Sequence, residues 1–312
     1  MLLDVRGLSK HFGPITAVDN VSFAVDRGGV LGFLGPNGAG KTTTMRMIAG
    51  FLAPSSGTAV VCGADVNSDP VAVKRRLGYL PEGAPLYVDM TPAGFLEFVA
   101  SVRGLAGGNR RRRIAEVVER MHLGPVLRQR IETLSKGFRR RVALAQAILH
   151  DPDVLILDEP TDGLDPNQKH EVRELIRTMA ATKAIVISTH ILEEVEALCS
   201  RAIIIARGGI VADGAPEALR ARSDRHNAVT LRLSVAEAQR AIEALRPLPE
   251  VARVDLTAQV DGVADLLVRP VNGRSITAQV GAALRARQIG IEELSSERGR
   301  LDDVFRTITT AP

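Results

Sequence analysis

The sequence predicts an α/β fold with a mostly parallel sheet, followed by a smaller α+β domain. From residue 30 to residue 206, short apolar runs alternate with segments of helical periodicity, which favours parallel strands joined by right-handed crossovers. After residue 222 the predicted order becomes β-α-β-β-α-β, which is typical of a small split-βαβ, ferredoxin-like sandwich. A length of 312 residues also suggests two domains, which we place at residues 1–222 and 223–312.

The first domain is predicted to combine three kinds of segment. Residues 1–30 hold short strands with partly alternating polarity and a loop expected at residues 10–13, which indicates an antiparallel β subdomain. Helical periodicity from about residue 88 to residue 150 predicts an all-helical insert. The remaining strands are expected at residues 30–34, 58–62, 77–80, 153–157, 184–188 and 202–206.

The composition excludes several classes of function. The chain has no Trp and only 3% aromatic residues, which argues against stacking on single-stranded nucleic acid, and we expect no nucleic-acid partner. The run Arg110–Arg113 is interpreted as a solvated helix face rather than a nucleic-acid patch. Cys62 and Cys199 are isolated, which favours packed free thiols in a reducing cytosol over a metal cluster. No apolar run approaches 18 residues, so we expect any role at a membrane to depend on a partner.

A glycine-rich motif lies between the first buried strand and a predicted helix. Residues 35–42 read GPNGAGKT and fit the phosphate-binding pattern G-x-x-x-x-G-K-[ST]. The glycines let backbone N–H groups point at phosphate oxygens, and the following helix adds its positive N-terminal end. Lys41 is expected to reach the β- and γ-phosphates, and Thr42 to ligate Mg²⁺. The alternative is a glycine-rich turn before an ordinary helix, and the strand–loop–helix context favours nucleotide binding.

Polar residues also follow two later strands. Asp158 and Glu159 come directly after one buried strand, and His190 follows the next. Because ligands bind at the carboxyl ends of parallel strands, one sheet edge is expected to gather these side chains with Lys41. We expect Asp158 to hold Mg²⁺, Glu159 to act as general base on a water, and His190 to bond the γ-phosphate. The alternatives are two surface acids in a turn and a structural histidine.

At this point the motifs carry a family resemblance. The phosphate loop is followed by LSKGF at 134–138, LILDEP at 155–160, GLD at 163–165 and TH at 189–190. In this order and spacing the chain resembles the ATP-binding subunit of an ABC transporter over roughly residues 1–220. GYLPE at 78–82, one nucleotide-binding domain and the C-terminal domain resemble a narrower group, the ATPases of multidrug, gliding-motility and related exporters.

The resemblance implies a head-to-tail homodimer that encloses two ATP molecules. Ser135 and Gly137 of one protomer would cap the γ-phosphate held by the other. Phe12, which spacing alone leaves as either a core residue or an exposed platform, would stack on adenine, and Asp165 would lie in a loop crossing between protomers. His190 would be the switch residue. The implied ATP-binding set is Phe12, Gly35, Pro36, Asn37, Gly38, Ala39, Gly40, Lys41, Thr42, Thr43, Ser135, Gly137 and Asp165, and the implied Mg²⁺ ligands are Thr42, Glu82 and Asp158.

The chain departs from the family pattern at two motifs. Glu82 replaces a glutamine, and Lys136 and Phe138 replace the Gly and Gln of the usual LSGGQ. Because Ser135 and Gly137 are retained, we expect hydrolysis to survive.

Three functions are compared. We expect an ATPase on the cytoplasmic face of the cell membrane that drives export through separate integral membrane permease subunits. A soluble ABC-type ATPase acting on ribosomes or DNA is the first alternative, but such proteins usually carry tandem domains or a long coiled-coil insert. A non-hydrolytic module that signals by dimerising is the second, and the retained Glu159 argues against it.

Overall fold

A computed structural model describes residues 1–83 and 85–310, which form two compact units, Met1–Ala215 and Pro216–Pro312. None of the helices in these residues is both long enough and apolar enough to cross a membrane.

The first unit is built on two sheets. Its strands are β1 (Leu3–Phe12), β2 (Ile15–Val25), β3 (Val30–Leu34), β4 (Ser56–Val61), β5 (Ala64–Asp65), β6 (Leu77–Leu80), β7 (Val154–Asp158), β8 (Ala184–Thr189), β9 (Arg201–Ala206) and β10 (Gly209–Gly214). One sheet is antiparallel, with the order β2-β1-β4-β5. The other has the order β10-β9-β3-β8-β7-β6, in which only the β10–β9 pair is antiparallel. The expected mixture of a parallel core and an antiparallel subdomain is confirmed.

The described residues of this unit form seven α-helices, of which some begin at a capping side chain and others do not. They are α1 (Lys41–Ile48), α2 (Pro70–Arg76), α3 (Pro92–Val102), α4 (Gly107–Arg120), α5 (Lys136–Ile148), α6 (Pro166–Ala180) and α7 (Leu192–Leu198). At α3, Thr91 accepts a bond from the Gly94 N–H and a proline opens the first turn, an arrangement that α6 repeats with Asp165. Helices α3 to α5 form the predicted helical segment.

The parallel strands are buried along their whole length. Every residue of β3, β7 and β8 is buried, because helices and the antiparallel sheet cover both faces. Such strands tolerate polar side chains only near their ends. The edge where these strands end is therefore the place at which the chain presents charged groups.

The second unit is an antiparallel sheet with two helices on one face. Its elements are α8 (Pro216–Arg220), β11 (His226–Ser234), α9 (Val235–Leu245), β12 (Val251–Val260), β13 (Val263–Pro270), α10 (Thr277–Ala286), β14 (Glu293–Arg298) and α11 (Leu301–Thr310). The strand order is β12-β13-β11-β14. Leu231 and Leu233 of β11 and Leu266 of β13 pack in one core with Ala241 of α9 and Leu284 of α10.

Candidate functional site

The loop between β3 and α1 has the shape that its glycines permit. Gly38 and Gly40 have φ values of +79° and +105°, a region that side chains with a Cβ rarely adopt. A Cβ at Gly35 would lie 2.5 Å from the Ile205 carbonyl oxygen, and one at Gly40 would lie 2.5 Å from the Ala17 oxygen. Tight neighbours and unusual φ values therefore both account for glycine at these positions.

Lys41 is folded back onto this loop. Its Nζ donates to the carbonyl oxygens of Gly35 at 2.7 Å and Pro36 at 3.2 Å. The side chain is buried, and burial lowers the pKa of Lys41, while the carboxylates of Glu159 and Asp158 oppose that shift. The loop thus holds one buried amine at the start of α1, close to two acidic groups.

The rest of the loop leads into the first turn of α1. Thr42 and Thr43 are half-buried there, and the Thr44 hydroxyl donates to the Gly40 carbonyl oxygen at 2.9 Å. Asn37, at the tip of the loop, lines an open cavity of about 590 Å³ together with Glu159. Its other lining residues include Glu82, Lys136, Arg139, Arg140, Asp162 and His190. Side chains from distant parts of the sequence therefore share one cavity.

Asp158, the last residue of β7, is wholly buried. The Ser188 hydroxyl donates to its Oδ1 atom. Its Oδ2 atom is also buried and accepts no hydrogen bond from any residue that the structure describes. A buried carboxylate oxygen without a donor is costly, and a divalent cation would satisfy it. The donor set thus fits Mg²⁺.

Glu159 and His190 form a pair beside that carboxylate. Nδ1 of His190 lies 2.8 Å from Oε2 of Glu159. Because a carboxylate only accepts, the proton of this bond is on Nδ1, and Nε2 of a neutral ring remains an acceptor. Glu159 adopts a left-handed φ of +51°, and its N–H donates to the Ser188 carbonyl oxygen at 3.1 Å. The chain thus turns sharply at Glu159, immediately after the buried strand.

Arg140 of α5 supports this turn, and sequence reasoning missed it. Its guanidinium is buried and donates to the carbonyl oxygens of Asp158 at 2.7 Å, Pro160 at 3.1 Å and Glu159. Burial lowers the pKa of Arg140, and the nearby carboxylates oppose that shift. The available signal was one arginine of the run 139–141 falling on the apolar face of α5. Ser188 was missed as well, because a serine inside a strand carries no pattern of its own.

The LSKGF segment begins α5. The Ser135 side chain caps the helix by accepting from the Phe138 N–H at 3.3 Å. A Cβ on Gly137 would clash with Oε1 of Gln168. Packing inside one chain therefore already favours glycine at this position. Among the described residues, neither Ser135 nor Gly137 lines the cavity that contains Glu159. A single protomer therefore does not bring Ser135 and Gly137 into the cavity that Asn37 of the phosphate loop shares with Glu159.

The Lys136 side chain lies across Gly163, where a Cβ would stand, and its Nζ is 3.2 Å from Oδ2 of Asp162. Gly163 also has a φ of +68°, a conformation that residues with a Cβ rarely adopt, so the backbone itself favours glycine here. This contact joins the start of α5 to the turn that follows Glu159.

Two further predicted residues, Phe12 and Asp165, lie at the ends of elements, and Ala39 is buried in the phosphate loop. Phe12 is the last residue of β1. This strand therefore includes residues 10–12, which were expected to lie in a loop, and Phe12 is 48% exposed. Nζ of Lys10 lies 5.2 Å from the centre of that ring. Asp165 caps α6, and its carboxylate accepts from the Gln168 N–H at 2.9 Å.

A phosphate loop with a buried lysine and acidic residues at the ends of adjacent parallel strands defines a nucleotide hydrolase of the P-loop class. Comparison with known proteins makes this specific, since a family model described as ABC transporter matches residues 18–162. The chain belongs to the ABC transporter ATP-binding family, and it is an ATPase. The predicted family is confirmed.

Individual relatives support this membership. The linearmycin resistance ATP-binding protein LnrL of Bacillus subtilis (strain 168) is 32% identical over 311 residues, which are 99% of this chain and 98% of that protein. The Nod factor export ATP-binding protein I of Ralstonia nicotianae is 39% identical over 219 residues, covering 70% of this chain and 68% of that protein. A solved ATP-binding subunit of an ABC transporter superposes with a TM-score of 0.66 at 32% identity, over 70% of this chain and 92% of its own.

Proposed function

We propose that the chain hydrolyses Mg-ATP and passes the resulting movement to membrane subunits that export a substrate. The observation that carries this proposal is the gathering of Lys41, Asp158, Glu159 and His190 at one edge of the parallel sheet. In this assignment the loop N–H groups and Lys41 bind the phosphates. Glu159 accepts the proton of the attacking water, and His190 holds the Glu159 carboxylate in place and faces the γ-phosphate.

Mg²⁺ would be held by Asp158, Thr42 and Glu82. Glu82 would contribute a carboxylate where the family has a glutamine. The undonated Oδ2 atom of Asp158 supports this assignment. When bound, the ion would neutralise charge on the phosphates. The residues of this chain keep separate roles, because Asp158 is fixed by Ser188 whereas Glu159 is fixed by His190.

The ATP site is proposed to be completed by a second copy of the chain. Ser135 is exposed at the N-terminus of α5, where helix-end N–H groups favour an anion. Within one chain Lys136 of this helix end lines the cavity beside Glu159, but Ser135 and Gly137 do not. A head-to-tail homodimer would bring the Ser135 helix end of one copy to the triphosphate of the other, and Asp165 would lie near the crossing point.

The membrane partner is proposed to dock on an aromatic groove of the first unit. Tyr87 packs at 6.1 Å from Phe95 and at 5.6 Å from Phe98, while Phe51 packs at 5.4 Å from Tyr79, measured between ring centroids. The rings of Phe51 and Tyr87 are 68% and 60% exposed, which is costly unless a partner covers them. The relatives named for Nod factor export and linearmycin resistance support a role in export at the cytoplasmic face of the membrane.

The second unit is proposed to be a ferredoxin-like domain with a regulatory or assembly role. Its β-α-β-β-α-β element order and its antiparallel strand order β12-β13-β11-β14 support this. We keep residues 1–222 as the nucleotide-binding domain and 223–312 as this second domain.

The test is Glu159→Gln, which removes the base but keeps the shape of the side chain. With ATP and Mg²⁺ we expect this variant to accumulate as a dimer in light scattering, with the affinity for ATP unchanged and turnover lost. Glu196→Gln changes an exposed glutamate of α7 and is the matched control. It should hydrolyse ATP at the unmodified rate and should not accumulate as a dimer. A monomeric Glu159→Gln variant with unmodified turnover would show that the assignment is wrong.

A further inference from the structure

A second carboxylate, Glu194, lies behind the pair of Glu159 and His190. It belongs to the first turn of α7 and is 1% exposed, although it carries an acidic side chain. Burial of a carboxylate is costly unless donors surround it. The arrangement of those donors indicates what Glu194 does.

The donors come from the two places where the chain leaves the sheet. The Thr161 hydroxyl donates to Oε1 of Glu194, and the Thr189 hydroxyl donates to Oε2 at 3.0 Å. Both threonines are 1% exposed. Nη2 of Arg173, from α6, lies 3.9 Å from Oε1 and supplies a compensating charge.

These contacts bracket the candidate catalytic pair. Thr161 follows Glu159 by two positions along the chain, and Thr189 directly precedes His190. The Thr189 hydroxyl also accepts from the Ile191 N–H at 3.0 Å, so both segments that flank His190 are tied to the same hydroxyl. One carboxylate therefore joins the turn after β7 to the turn after β8.

We propose that Glu194 is a positioning residue that fixes the distance between Glu159 and His190. It does not line the cavity with them, so it acts through the two threonines. The same carboxylate links this pair to the turn at residues 161–165, so that a movement of that turn reaches His190. The inference rests on the roles proposed above for Glu159 and His190.

A purely structural role would have different consequences. Removing one partner of a buried ionic contact leaves the other groups unpaired and destabilises the fold. If Glu194 only supported the fold, its removal would lower the unfolding temperature and reduce turnover in proportion to the folded fraction. A positioning role predicts that the turnover of correctly folded protein falls, because a displacement of about 1 Å can cost about 100-fold in rate.

The experiment compares Glu194→Ala, Glu194→Gln and the control Glu193→Ala in the full-length chain. Glu193 is the adjacent glutamate of the same helical turn and is exposed. We expect Glu194→Ala to lower kcat by about 10- to 100-fold with KM for ATP changed by less than about threefold. Glu194→Gln should recover most of the rate because its amide oxygen still accepts from a hydroxyl, and Glu193→Ala should leave the rate unchanged.

A double-mutant cycle with His190→Ala separates the two roles. Measured in single-turnover experiments, Glu194→Ala should cost nothing further once His190 is absent, since the pair that it positions no longer exists. An equal proportional loss in both backgrounds, or no loss in the unmodified background, would overturn the inference. If Glu159→Gln and His190→Ala both hydrolyse ATP at the unmodified rate, the proposed function itself is wrong.

A second pair of variants covers the case in which Glu194→Ala does not fold. Thr161→Ser keeps the donor, whereas Thr161→Val removes it with little change in volume. The serine variant should retain turnover and the valine variant should lose it. Equal turnover of the two would contradict the inference.

Discussion

Replacement of Lys41 by methionine tests the phosphate loop most directly, because methionine has similar length and no charge. In the free protein the Lys41 ammonium is buried and bonded to two carbonyl oxygens of the loop. Methionine removes a buried charge, so we expect the stability of the nucleotide-free chain to stay the same or to rise slightly. The effect should appear only when nucleotide is present.

The expected loss of affinity follows from the hydrogen bonds of Lys41. When ATP binds, the ammonium would exchange its bonds to the Gly35 and Pro36 carbonyl oxygens for bonds to phosphate oxygens. A hydrogen bond to a charged group contributes about 1.5–3 kcal/mol, which corresponds to a loss of about 10- to 100-fold in affinity when the ammonium is removed. Because ATP binds only the folded state, a weaker affinity also reduces the stabilisation that the ligand gives against unfolding. At a ligand concentration of about 100 times the unmodified Kd, binding stabilises the folded state by about 2.7 kcal/mol, and a 100-fold weaker Kd leaves about 0.4 kcal/mol.

The assay combines thermal unfolding and titration calorimetry with a slowly hydrolysed ATP analogue. The unmodified chain should show a clear rise of Tm with the analogue, and Lys41→Met should show almost none while keeping its ligand-free Tm. Lys74→Met removes one exposed positive charge from α2 and should behave like the unmodified chain. An unchanged Kd for Lys41→Met would refute the assignment of this lysine to the phosphates.

Three further predictions concern stability. Burial lowers the pKa of His150 to about 4, so this residue takes up a proton first in the unfolded chain as the pH falls below 6.5, and the folded state loses stability. We expect urea unfolding to show that this residue lowers the free energy of unfolding by up to about 3 kcal/mol at pH 4, a loss that His150→Gln abolishes. Gly35→Ala should destabilise the chain by about 1–3 kcal/mol in denaturant unfolding, because its Cβ would lie 2.5 Å from a carbonyl oxygen, whereas Gly124→Ala meets open space and should be neutral. Lys136→Gln should change the free energy of unfolding by less than about 1 kcal/mol, since its ion pair with Asp162 is largely exposed, and a larger loss would mean that this contact holds the loop.

The sequence predicted the fold class and the edge of the sheet that carries the site, because both follow from local patterns. Wholly apolar strands predict a buried parallel sheet. Polar residues that directly follow such strands are then expected at the edge of that sheet. Asp158 and His190 were found in this way, and Lys41 was found through the glycine-rich motif. The loop expected at residues 10–13 was wrong in extent because the pairing of β1 with β2 continues to Phe12, and that pairing depends on the partner strand rather than on local propensity.

The contacts that hold the candidate site in shape were less visible in the sequence. Arg140 and Glu194 are charged residues in amphipathic helices, where such side chains usually face water, yet both are buried against backbone or hydroxyl groups of distant segments. Asp158 lies 18 positions from Arg140 and Thr161 lies 33 positions from Glu194, and neither partner shares a periodic pattern with the charged residue. Only the packing of α5 and α7 against the strand ends determines which charged residue turns inward.

Glu159 shows how these contacts act together. Its left-handed φ of +51° is an unfavourable conformation for a residue with a side chain, and it persists only if the surroundings hold it. Arg140 donates to the carbonyl oxygens of Asp158 and Pro160 on either side of this residue, and the Ser188 carbonyl oxygen accepts from its N–H. Its carboxylate contacts Nδ1 of His190 at 2.8 Å, whereas Oδ2 of Asp158 is buried without a donor among the described residues and is available to a cation. If Asp158 and Glu159 have the roles proposed above, the two adjacent acids can do different chemistry because Arg140 and Ser188 hold the turn between them.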